Sequence, residues 1–78
     1  MKMTMNQLRE YLSNLVSHIT FEYNGTNCGI DPISQNEFDI WYGESANTVN
    51  NLDLVFTIPI FDGKAFTDIF DEIESFDL

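Results

Sequence analysis

Polar and apolar positions alternate in two rhythms along the chain, and the changes of rhythm mark its elements. Met5, Leu8, Tyr11, Leu12, Leu15 and Val16 recur at three- and four-residue spacing, the stripe of an amphipathic helix. Thr4 and Gln7 fit a capping box with Thr4 as N-cap, and the helix is expected to end near Ser17. The period then drops to two. Asn24-Gly25 lies between alternating runs, a strong hairpin signal because both residues tolerate the positive φ of a type I′ turn. A two-residue loop there pairs Tyr23 with Thr26, Phe21 with Cys28 and Ile19 with Ile30. These six residues share one mostly apolar face, while Thr20, Glu22, Asn27 and Gly29 fall on the other.

Asp31-Pro32 is expected to break the second strand, with residues 33–36 as a connection. Glu37 to Tyr42 alternates again, with Phe38, Ile40 and Tyr42 on one face and Glu37, Asp39 and Trp41 on the other. This predicts a third strand, ended by Gly43. Trp41 is expected to project outward among carboxylates, or else to pack over a neighbouring strand or loop. Residues 44–51 read as a polar link. Leu52 to Ile60 fits a strand or a helix. Pro59 argues against a central strand and favours a short helix capped by Asn50 or Asn51, with an edge strand close behind.

A last helix is expected to start at Asp62 and Gly63, with Phe66, Ile69, Phe70 and Ile73 on its apolar face. Asp68, Asp71, Glu72 and Ser75 lie opposite. Glu72, Glu74 and Asp77 would then crowd a helix C-terminus, where the dipole prefers cations and each acid costs roughly a few tenths of a kcal/mol. The assembled expectation is a single α+β domain over residues 1–78. It has an N-terminal helix, a three-stranded antiparallel sheet with the Asn-Gly hairpin, and one or two C-terminal helices on one sheet face.

Charge changes the picture most. Thirteen Asp and Glu face three Lys and Arg, for a net charge of −10. Residues 22–78 carry twelve acids against Lys64 alone. Direct binding to nucleic acid is disfavoured, because phosphate contacts need clustered bases, and anionic membranes would repel the chain. The natural complement is a basic protein surface. The plainer alternative is that the charge serves solubility. The start, MKMTMNQLREYL, lacks the continuous apolar core of an export signal, and the single cysteine cannot close an internal disulfide. The expected compartment is the cytoplasm, so Asn24-Gly25-Thr26 reads as a turn and not as a glycan acceptor.

Catalytic and metal chemistry finds few footholds. No EF-hand loop, P-loop or nucleophile elbow is present, and one His with one Cys cannot complete a zinc site. Divalent-ion binding by Asp68, Asp71 and Glu72 would be unspecific. A domain this small seldom encloses a pocket of the ~300 Å³ typical of ligand sites. Cys28 with His18 is the one nucleophile–base pair the residues offer. Cys28 falls on the core face without oxyanion machinery, so it reads as a buried thiol. Neither enzyme activity nor a cofactor is expected.

The phrases FEYNGTNCGIDP, FDIWYG and FDGKAFTDIFDEIE, in that order, resemble small acidic proteins of Firmicutes phages and mobile elements, a group without an assigned activity. The resemblance spans most of the chain and implies helix on both sides of the FDGK stretch, in keeping with a helix over residues 50–57. It carries over no functional residue. Genomes of that kind also encode acidic inhibitors that mimic DNA, including anti-CRISPR and anti-restriction proteins.

Two functions follow as expectations. In the first, the chain occupies a basic, nucleic-acid-binding surface of another protein, through Glu37, Asp39 and Trp41 on the strand and Asp68, Asp71, Glu72 and Glu74 on the helix. In the second, it is a non-catalytic structural or self-associating domain, a homo-oligomer joined through Trp41, Tyr42 or Phe76, and its charge keeps it soluble.

Overall fold

A computed structural model describes residues 3–14 and 17–77. Leu15 and Val16, assigned above to the first helix, lie outside the described residues. Helix α1 runs Met5–Ser13. The Thr4 hydroxyl accepts from the Gln7 N–H at 3.1 Å, and the Gln7 side chain accepts from the Thr4 N–H at 2.9 Å. This closes the capping box and satisfies two donors a helix start leaves unpaired. Leu8 and Leu12 are buried from this helix.

Five strands follow the order β4-β3-β2-β1-β5 in one antiparallel sheet, where three were expected. Strand β1 (Ile19–Tyr23) turns through Asn24 and Gly25, at φ 57° and 73°, into β2 (Thr26–Ser34). The register Tyr23–Thr26, Phe21–Cys28 and Ile19–Ile30 is the one the sequence predicts. Strand β3 (Glu37–Tyr42) also has its predicted bounds.

Asp31-Pro32 does not break β2, which runs on to Ser34 with an irregularity between Pro32 and Ser34. Hydrogen-bond parity explains the tolerance. The Gly43 N–H donates to the Asn27 carbonyl at 2.8 Å, so odd-numbered residues of β2 bond toward β3 and even-numbered ones toward β1. The ladder to β1 stops at Ile19–Ile30, leaving Pro32 no hydrogen bond to forfeit.

Two further strands correct the sequence reading. The polar link contains β4 (Ser45–Val49), which follows a Gly43-Glu44 turn and pairs with β3. Gly43 has φ 60°, which suits the first central position of a type II′ turn. At the other edge, β5 (Phe76–Asp77) pairs with β1 across most of the chain. Its Phe76 is buried, so it is no surface anchor for self-association.

Helix α2 (Leu52–Thr57) is the short helix the sequence favours, capped by the Asn51 side chain, which accepts from the Leu54 N–H at 2.9 Å. No strand follows it directly among the described residues. Asp62 and Gly63, at φ 57° and 79°, do not start a helix. They form a tight turn bridged by reciprocal hydrogen bonds between Phe61 and Lys64 at 3.0 and 3.1 Å. Helix α3 is one turn, Phe66–Ile69, continued by a 3₁₀ turn over Phe70–Glu72. The dipole penalty expected for Glu74 and Asp77 therefore disappears, while Glu72 still ends the 3₁₀ turn. Glu74 and Asp77 are outside any helix, and Asp68 sits favourably in a first turn, accepting from the Ala65 N–H at 3.1 Å.

All helices pack on one sheet face. Phe66 sits at the centre, with ring centroids 5.5 Å from Phe21, 5.6 Å from Phe56, 6.0 Å from Phe61 and 5.9 Å from Phe70. Most of these contacts are edge-to-face, a geometry worth about 0.5–1.5 kcal/mol per pair beyond burial. Cys28, Ile30, Phe38 and Ile40 complete the layer from the sheet. The opposite sheet face has no helix over it.

Candidate functional site

Period-two alternation assigns that uncovered face to Thr20 and Glu22 of β1, Asn27, Gly29 and Asp31 of β2, Glu37, Asp39 and Trp41 of β3, Ala46 and Thr48 of β4, and Asp77 of β5. Five of these are carboxylates. None is a Lys or Arg, and the two described Lys and Arg residues belong to the other layer. Arg9 of α1 binds Asp53 at 2.7 Å over the Phe56 ring, and Lys64 closes the turn before α3.

Registers fix the rows. Asp77, Thr20, Gly29, Trp41 and Ala46 form one line across all five strands. Trp41 is half-buried because its indole lies on Gly29. A methyl group built there would come within 2.0 Å of the ring. Both expectations for Trp41 thus hold in part: it is on the outer face, and it packs over the neighbouring strand. Next to this row, Asp31 stands directly opposite Asp39, and the Thr48 hydroxyl donates to Asp39 at 2.8 Å. Two like charges in register oppose sheet formation.

Two clefts connect this face to the C-terminal segment. One of about 430 Å³ lies beside Trp41 and is lined by Thr20, Glu22, Asn27 and Asp77 among others. The other, about 380 Å³, is lined by Glu22, Asn24, Glu72, Glu74, Ser75 and Asp77. Their volumes overlap the lower range of ligand sites, but both are open at the surface and neither encloses a pocket. Their chemistry is anionic and open. Among the described residues no three His, Cys, Asp or Glu converge closely enough to hold a metal ion.

The predicted partner-binding residues fall into separate groups. Glu37, Asp39 and Trp41 share the sheet face. Glu72 and Glu74 join it around the β1–β5 edge, through Glu22 and Asp77. Asp68 and Asp71 are exposed on the helical layer and line neither cleft. The sequence reading put Glu22 on the outer hairpin face but did not enlist it, and it placed Asp77 on a helix. The thiol of Cys28 is fully buried and donates to the Thr26 carbonyl at 3.4 Å. Burial pushes its pKa up to about 11, against a lesser opposing effect of a backbone hydrogen bond from Tyr23, which disfavours thiolate. His18 is exposed at the start of β1.

The molecule is an α+β module with an N-terminal helix, a five-stranded antiparallel sheet and two short C-terminal helices, and it presents one sheet face bare and acidic. No helix among the described residues is long and apolar enough to cross a membrane. Compared with known proteins, the chain matches no family model, no curated protein and no solved structure.

Proposed function

We propose that this chain is a small acidic protein-binding module of the cytoplasm that covers a basic, nucleic-acid-binding surface of another protein, in the manner of anti-CRISPR or anti-restriction inhibitors. The observation that supports it is the helix-free sheet face, where Glu22, Asp31, Glu37, Asp39 and Asp77 share the surface with Trp41 and no Lys or Arg is present. An aromatic anchor within a charged rim is the usual composition of a binding hot spot. Like charges set side by side weaken a small fold, and a cationic partner would relieve the repulsion among the five of the thirteen acids that share this face.

The self-associating alternative draws less support. Phe76 is in the core, and Ile33 is the large hydrophobic side chain left exposed among the described residues, at 50%. A single exposed aliphatic residue is ordinary for a monomer.

The test uses a nuclease or repressor captured by the chain from a host extract. Its affinity is expected to fall steeply with added salt, and nucleic acid is expected to compete for the same surface. Trp41→Ala should weaken binding by about thirtyfold, the equivalent of ~2 kcal/mol at a hot spot. Glu22→Lys with Glu37→Lys should flatten the salt dependence. Binding indifferent to ionic strength removes this reading, and a concentration-dependent dimer in sedimentation favours the alternative.

A further inference from the structure

The two sheet edges are guarded very differently. Strand β5 is two residues long, and the cleft at that edge carries the carboxylates of Glu72, Glu74 and Asp77. Strand β4 is five residues long, SANTV, with no charge, proline, glycine or bulge, and it has no strand outside it. Natural edges of that length usually carry one of these blocks, since unpaired backbone groups template further pairing.

The parity of the ladder identifies the free groups. Odd-numbered residues of β3 bond toward β2, so even-numbered ones bond toward β4, and the register assigns those bonds to Ser45, Asn47 and Val49. Ala46 and Thr48 therefore direct both N–H and C=O away from the sheet. Their side chains are on the acidic face, next to Trp41 and Asp39 in register.

We propose that the β4 edge accepts an extended segment of a cationic partner as a sixth strand, with Lys or Arg at every second position. The inference rests on the electrostatic reading of the sheet face and adds to it a backbone-pairing site. In an added antiparallel strand, the residues opposite Ala46 and Thr48 share the outer face, two positions apart. Small Ala46 leaves a long basic side chain free to lean toward Trp41, and the one opposite Thr48 leans toward Asp39. Intervening residues face the side of Ser45 and Asn47 and carry no charge. A second copy of the chain fits less well, because it brings the same net charge of −10 to the contact.

The probe is a synthetic peptide of alternating lysine and valine, titrated into isotope-labelled protein at low ionic strength and followed by amide hydrogen exchange. With peptide at about ten times its dissociation constant, exchange at Ala46 and Thr48 N–H is expected to slow about tenfold. A peptide of equal charge, N-methylated on its pairing edge, should leave both amides unprotected, and Ala46→Pro should abolish the effect without removing a ladder bond. If the peptide shifts only Glu22, Trp41 and Asp77, the edge inference fails while the acidic-face reading stands. If nothing shifts, both fail. Protection that depends on protein concentration without peptide assigns the edge to a second copy and overturns the proposal.

Discussion

At the scale of single residues, Gly29 and Trp41 act as one unit. The indole occupies the space where any side chain at position 29 would begin, so Gly29→Ala must expel the ring or distort the sheet. Overpacking of this kind costs about 1–3 kcal/mol. In a Trp41→Ala background the space is free, and the same substitution should become neutral or stabilise by up to ~1 kcal/mol through the unfolded chain. A double-mutant cycle in urea measures the difference, and equal costs in both backgrounds would show that the contact is not made. Cys28 gives a pH test. Its folded pKa is raised to about 11, so the neutral thiol is retained in the fold after the unfolded chain has lost its proton. The associated stability is complete below the ordinary thiol pKa of 9.0 and is lost as pH rises from there through about 11. Cys28→Ala should remove that part of the alkaline decline, read from urea midpoints across the window.

At the scale of elements, what could be read from the sequence followed from burial. Strands β1 and β3 alternate cleanly because each has one face in the core, and the Asn-Gly turn fixes the register between β1 and β2. The caps at Thr4 and Asn51 are equally local. Strand β4 escaped because Ser45, Ala46, Asn47 and Thr48 are all exposed. Only Val49 among its residues is buried, so no alternation marks it. Strand β5 is too short for any period, and its Phe76 reveals its place only through distant partners, Phe21 and Phe66. Asp62-Gly63 was legible as a turn, since Asp-Gly is itself a hairpin signal, but the apolar spacing that follows it suggested a longer helix. At the candidate site, Trp41 with Glu37 and Asp39 could be read from one strand. Glu22 and Asp77 join them only through pairing that no local pattern encodes. The Asp31–Asp39 pair makes an element-scale prediction. Asp31→Asn should raise stability by a few tenths to ~1 kcal/mol at low salt, with the gain shrinking as salt is added. Thermal melts at two ionic strengths would show it, and a salt-independent change would point to a packing effect instead.

At the scale of the whole molecule, a net charge of −10 lies along a longest dimension of 29 Å, about one charge per 3 Å. Duplex DNA carries one per ~1.7 Å of axis and a single strand one per ~3.4 Å. The chain thus matches the average charge density of one strand, with five of its thirteen acids on the bare face, where no Lys or Arg offsets them, and the other eight spread over the helices, turns and C-terminal segment. The seating of the chain's single tryptophan within that field has an optical consequence. Its emission should be quenched readily by caesium ions, which the neighbouring carboxylates enrich, and poorly by iodide, which they exclude. The ratio of the two quenching constants is then a local voltmeter for the sheet face. It should move toward unity as inert salt is added or as a bound partner neutralises the surface.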